Sequence, residues 1–186
     1  MSLNSSDINQ TIEIVASSTQ SYLRSAHRIS CIAQPAMSGK ADELSLKDVT
    51  AIIGLGGAIS NLVTITFDRV LLHHLLALEM KGLTVPEHEH EHYLSETAAE
   101  VSNIILGHCL AYLEDMVAPN GSVGGRISMS PPVVIQNVSK MHQAPSSAYT
   151  SVALTTDFGS LVISIIWPYE SFERVVKGLK IKGNSV

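Results

Sequence analysis

The chain has 186 residues (20.0 kDa), a formal net charge of −5 and a sequence pI near 5.9, with 45% hydrophobic and 16% charged residues. That apolar fraction excludes an unfolded chain, and at about 150 residues per domain the length fits one domain or two tightly fused half-domains. The acidic balance, with no Lys/Arg cluster, excludes nucleic acid and anionic membranes as partners.

Ser6 to Ala26 reads as a helix, with Asp7 as its N-cap and Ile8, Ile12, Val15, Thr19, Tyr22 and Leu23 on one face. A strand-like stretch, Arg28 to Ala33, leads to a turn at Pro35 to Lys40. Val49 to Leu55 and Ile59 to Phe67 flank Gly56-Gly57 and predict a β-hairpin. A helix follows from Arg69 to Lys81, stopped by Gly82. Beyond a linker, Leu83 to Glu91, the longest helix signal runs from about Tyr93 to Val117. Its apolar stripe is Leu94, Ala98, Val101, Ile105, Cys109, Tyr112 and Met116. Strands are then expected over Val133 to Val138, Tyr149 to Thr155 and Leu161 to Trp167, with a last helix from Tyr169 to Leu179.

Thr50 to Leu76 and Thr150 to Leu179 both read strand, glycine turn, strand, helix. Two hairpins followed by helices can look alike without being related, but a pseudo-repeat fits a sheet shared by two halves. The expected class is α+β: a single domain over residues 1–186, with an antiparallel sheet, helices packed on it and two β-β-α halves. The polar N-terminus lacks the basic and apolar regions of a signal peptide, and the longest apolar runs fall far short of the roughly 20 residues of a membrane helix. Cys31 and Cys109 read as buried small hydrophobes, and the expected location is the cytoplasm.

Opposite the apolar stripe, the long helix carries Glu96, Glu100, Asn103, Gly107 and Glu114. Glu100 and Asn103, at i and i+3, are neighbours on the helix surface, and Gly107 lies one turn further on. A mid-helix glycine costs about 1 kcal/mol relative to alanine and is better tolerated where a partner approaches. An amide both donates and accepts, so it can hold a water in a chosen orientation. A solvated helix face can produce the same residues.

The segment Glu96-Thr97-Ala98-Ala99-Glu100-Val101-Ser102-Asn103-Ile104-Ile105-Leu106-Gly107 resembles the ExxN helix of the CheC/CheX/FliY phosphatases, which act on the chemotaxis response regulator CheY. Ile52 to Gly57 with Leu62 to Phe67, Ser130-Pro131-Pro132-Val133-Val134 and Phe158-Gly159-Ser160-Leu161 are similar to other family segments, so the likeness spans about residues 6 to 178 in order. CheC-type members carry the motif twice and CheX-type members once. Here Glu13 is followed three residues on by Ala16, so one ExxN remains and the chain looks like CheX. Glu96 stands where the family often has Asp or Ser, and Asn61 where it often has Gly.

The resemblance implies a phosphatase that hydrolyses the aspartyl phosphate of a CheY-like receiver. Asn103 would orient the attacking water, Glu100 would pair with a receiver lysine, and Glu96 and Gly107 would contact the partner. It also implies a homodimer with no cofactor of its own, the Mg²⁺ being bound by the receiver. The alternative is a module of the same fold that binds a receiver or flagellar component without hydrolysis. A third reading is metal binding by His88, His90 and His92, which share a side in an extended chain; in a helix only His88 and His92 would. A solvated polar linker accounts for the same histidines. His73 and His74 are adjacent in a helix and form no chelate, and His108 is expected in or beside the core.

Overall fold

The computed structural model describes residues 5–83, 85–118, 126–138 and 147–168. Helix α1 (Ser5–His27) takes in Asp7 instead of being capped by it, and its predicted stripe is buried from Ile8 to Leu23. Strands β1 (Cys31–Ala33), β2 (Met37–Lys40), β3 (Val49–Gly57) and β4 (Asn61–Phe67) precede α2 (Arg69–Met80) and α3 (His90–Val117). Then come β5 (Ile127–Met129), β6 (Val133–Gln136), β7 (Ser147–Thr156) and β8 (Gly159–Pro168). The expected helix at Tyr169 to Leu179 lies outside the described residues.

All eight strands form one antiparallel sheet in the order β1-β7-β8-β4-β3-β5, with β2 also on β7 and β6 also on β3. Two expectations are corrected. The turn at Pro35 to Lys40 contains β2, whose Ser38-Gly39-Lys40 shows no alternation and is held instead by pairing with Tyr149 and its neighbours. The strand expected to reach Val138 ends at Gln136, because Asn137 turns the chain with φ 56°.

The repeat is also larger than β-β-α. Each half brings a long helix and two short strands ahead of its hairpin, and the short strands are exchanged. Lys40 of β2 lies opposite Ala148 on the second hairpin, while Gln136 of β6 lies opposite Val49 on the first. The hairpins meet at β4 and β8, where Thr64 faces Ser164. Alternation then sends Val63, Ile65, Phe67, Ile163, Ile165 and Trp167 to one face, where all are buried against the helices. On the other face Ala41, Leu44 and Leu46 cover Ile166.

Two local devices fix the edges of this arrangement. Gly57 has φ +89°, and a Cβ there would lie 2.4 Å from the Arg126 carbonyl oxygen, so only glycine fits where β3 meets β5. At the start of α2, Asp68 occupies the N-cap position but reaches away from the helix. Its carboxylate accepts from the Ser160 N–H (2.7 Å), the Ser160 hydroxyl (2.6 Å) and Lys47 Nζ (2.5 Å). Asp48 takes over the capping by accepting from the Arg69 N–H at 2.9 Å.

Burial acts to raise the Asp68 carboxyl, but Lys47 and the two Ser160 donors outweigh it and hold the group below the ordinary carboxylate range. A carboxylate depressed in the folded state stabilises the protein fully above its unfolded pKa, and that contribution is lost as pH falls through the folded value. Asp68→Asn is therefore expected to cost about 1.5–3 kcal/mol near neutral pH, the worth of hydrogen bonds to a charged group. In urea unfolding, the gap between the two proteins should narrow as pH drops below about 4, the ordinary carboxylate pKa.

Candidate functional site

Helix α3 lies on the sheet through Leu94, Ala98, Val101, Ile105, Cys109 and Leu113, all at 0% exposure. Tyr112, expected in this stripe, is 64% exposed. With 3.6 residues per turn, the step from Cys109 to the next inward position is four residues and selects Leu113. The opposite face carries Glu96, Glu100, Asn103 and Gly107, all exposed. A Cβ on Gly107 would meet nothing within 4 Å, so the bare backbone there answers to no contact inside the described residues.

Side-chain bonds secure α3 near both ends. Gln136 on β6 donates to Ser95 Oγ (2.5 Å) and to the Glu91 carbonyl (3.2 Å). Near the far end, Glu114 Oε1 accepts from the Ile127 N–H of β5 at 2.8 Å. Glu114, read from sequence as part of the polar strip, is thus a fastening. Between these bonds, the β5–β6 connection runs beside the strip. Glu96, Ala99, Glu100 and Asn103 form one side of a cleft of about 680 Å³, and Met129, Ser130, Pro131 and Pro132 form the other. Ser130 is fixed by Gly54: its N–H donates to the Gly54 carbonyl and its hydroxyl accepts from the Gly54 N–H, both at 2.9 Å. The sequence marks Ser130-Pro131-Pro132 as a strand start. Its place beside Asn103 is set by β3 pairing and has no local signal.

The electrostatics of the strip are uneven. Glu96 pairs with His92 at i, i+4 (3.1 Å) on the surface. Among the described residues, Glu100 and Asn103 make no salt bridge or hydrogen bond. Glu100 instead has a carboxylate for a neighbour, Glu79 on α2, a residue with no motif or spacing to single it out. Burial and then the charge of Glu100 raise the Glu79 carboxyl above its ordinary value, against a hydrogen bond from Thr97. Tyr22 on α1 belongs to the same group: burial first, then Glu79 and Glu100, push its hydroxyl up to about 12. An acidic patch thus borders the strip on the α2 side, and prolines border it on the other.

The histidines diverge. The segment from Glu87 is helical, so His88, His90 and His92 do not share the side they would in an extended chain. His88 lies 3.4 Å from Glu89, His90 packs on His73 with ring centroids 4.9 Å apart, and His92 holds Glu96. Among the described residues, no three His, Cys, Asp or Glu side chains are arranged to hold a metal ion. His108, expected in or beside the core, is exposed and lies edge-on to Tyr22 at 6.4 Å. Cys31 and Cys109 are both buried, and burial pushes the Cys109 thiol up to about 11, so neither is poised as a nucleophile. No described helix is long and apolar enough to cross a membrane.

A family model, Chemotaxis phosphatase CheX, matches residues 49–156. No curated protein matches the chain. Among solved structures, a chemotaxis protein CheX from Desulfovibrio desulfuricans superposes with a TM-score of 0.69 at 17% identity, covering 84% of this chain and 97% of its own. The CheX-CheY-BeF3-Mg²⁺ complex from Borrelia burgdorferi gives 0.63 at 21% identity, covering 83% and 95%. Thermotoga maritima FliY gives 0.61 at 16% identity, covering 95% and 99%. At these identities the superpositions establish a shared fold.

The coupling between Glu79 and Glu100 can be read directly. Glu100→Gln removes one negative charge from beside Glu79, so the Glu79 carboxyl should titrate at lower pH in the variant. Carbon-13 NMR titration of the glutamate side chains checks this, and an unmoved Glu79 midpoint would contradict the proximity described here.

Proposed function

Since the chain belongs to the chemotaxis phosphatase CheX family, we propose that it hydrolyses the aspartyl phosphate of a CheY-like receiver domain, using Asn103 and Glu100. The observation that carries this reading is the state of the two side chains. They stand one turn apart, exposed, in a cleft, and no group among the described residues engages either by hydrogen bond or salt bridge. A CheX of Borrelia burgdorferi has been crystallised with CheY, BeF3 and Mg²⁺, which supports a receiver as the partner.

The chemistry asks little of the protein beyond placement. Water attacks the phosphorus, the bond from phosphorus to the aspartyl oxygen breaks, and inorganic phosphate and a free carboxylate result. Positioning and charge neutralisation dominate such phosphoryl transfers. Mg²⁺ comes with the receiver. The Asn103 amide accepts from the attacking water and holds it in line, while its N–H₂ can face a phosphoryl oxygen. Glu100 pairs with a receiver lysine and so fixes α3 over the acyl phosphate. Glu79 raises the negative potential at that point, since neither carboxylate has a cation beside it among the described residues. Glu96 and Gly107 extend the contact, Gly107 by leaving backbone bare. On the same family grounds, the working form is a homodimer of single-domain protomers.

Asn103→Ala should slow dephosphorylation of a phosphorylated receiver by about 10²- to 10³-fold, the cost of losing one positioned hydrogen-bonding group, with receiver binding retained. Glu100→Ala should chiefly weaken binding. Phosphate release and fluorescence titration separate the two effects. Equal turnover by wild type and Asn103→Ala would remove Asn103 from the reaction, and a wild type no faster than the receiver's spontaneous decay would leave a receiver-binding module in place of an enzyme.

A further inference from the structure

The cleft has a second side that the ExxN motif does not account for, and its chemistry is the reverse of the first. On α3 the lining is polar and acidic through Glu96, Glu100 and Asn103, whereas across from it Met129, Pro131 and Pro132 present apolar surface. This side has almost no donors to offer. Pro131 and Pro132 have no N–H. The Ser130 N–H is spent on the Gly54 carbonyl, and its hydroxyl donates to the Pro131 carbonyl at 3.1 Å. What settles there meets mainly apolar surface and finds no free N–H among Ser130, Pro131 and Pro132.

The wall is also rigid before anything binds. Two successive prolines fix their own φ angles, and the preceding Ser130 is tied to β3 by its N–H and its hydroxyl. Met129 is half-buried and packs against the main core. A preordered apolar surface loses little conformational freedom on binding, which favours its use as an anchor.

We propose that Met129, Pro131 and Pro132 form a recognition wall for the receiver domain, taking an apolar side chain that lies next to the lysine held by Glu100. The inference rests on the reading that the α3 strip docks a receiver. Charge complementarity selects the occupant: the segment filling the cleft must meet an uncompensated carboxylate on one side and a donor-poor apolar surface on the other. A lysine flanked by an aliphatic or aromatic residue satisfies both, and a purely polar loop satisfies only one. The wall thereby sets which receivers bind, while Asn103 sets how fast a bound one is hydrolysed.

The test measures Kd and turnover separately, with CheY-type receiver domains from the same organism. Kd is taken on receivers loaded with beryllofluoride and Mg²⁺, and turnover on the phosphorylated domains. The double variant Pro131→Ser/Pro132→Ser should raise Kd about tenfold, as expected for loss of an anchoring contact, with kcat at saturating receiver within about twofold of wild type. Pro131→Val/Pro132→Val keeps the apolar surface and should recover most of the affinity; if it binds as poorly as the serine variant, the contact is not apolar and the proposal fails. Kd unchanged in the serine variant overturns the wall and leaves the proposed activity standing. Wild-type turnover no faster than the receiver's spontaneous decay overturns the activity and leaves the wall standing. If wild type binds none of the receivers, both fall. A second measurement does not depend on the prolines: the Met129 methyl resonance should shift when the loaded receiver is added, and a stationary resonance counts against the wall.

Discussion

Between Leu62 and Phe67, β4 pairs with β8 in a register running from Leu62 opposite Ile166 to Phe67 opposite Leu161, and this seam makes one sheet of two hairpins. Its phase decides which face is apolar. A slip of one residue would turn Val63, Ile65 and Phe67 outward and bring Thr64 and Thr66 under the helices. Because Thr64 stands opposite Ser164, the two halves meet in matching phase and offer the helices a single continuous floor of Ile, Val, Phe and Trp side chains. The exchanged short strands reinforce the seam, since each half covers the outer edge of the other's hairpin.

On that floor α3 can present only one face. Its buried arc sets the rotation of the helix about its axis, and the bonds from Gln136 and Glu114 tie it to β6 and β5 near its two ends. The strip from Glu96 to Gly107 is therefore held on a fixed support, which is what a positioning mechanism demands. The same region departs from ordinary economy. Glu79 and Glu100 stand as like charges without a compensating cation among the described residues, and a mid-helix glycine is kept without any internal contact that requires it. Departures of this kind cost stability and tend to gather where function is served.

Much of this could be read from the residues in order. The stripes of α1 and α3 are strong periodic signals, the glycine turns and apolar runs mark β3, β4 and β8, and the ExxN residues lie on a face that the period of α3 turns outward. What could not be read has a physical cause in each instance. β2 and β5 have four and three residues, too few to show a period, and exist because a neighbouring edge completes their hydrogen bonds. Tyr112 was displaced from the stripe by the fractional residue in each helical turn. Glu79, Met129 and the two prolines reach the strip only through tertiary packing, across sequence distances at which spacing carries no information. Glu114 looked like another surface acid until the Ile127 N–H gave its carboxylate a fixed partner.

The exchange between the halves has a consequence for the order of events as the chain folds. Every residue of α3 lies in the sequence between β4 and β8, so the seam closes only by drawing together strands on either side of that helix. Pairing at such separation is slow, because loop-closure entropy is spent before the contacts form. Neither half completes its own hairpin edge, so a chain emerging from the ribosome cannot finish the first half and wait. The β5 and β6 partners that tie α3 down pair with β3 and need the chain only as far as Gln136, whereas the seam at β4 waits for β8. The eight-stranded sheet is therefore complete only late in synthesis, once nearly the whole described chain is present.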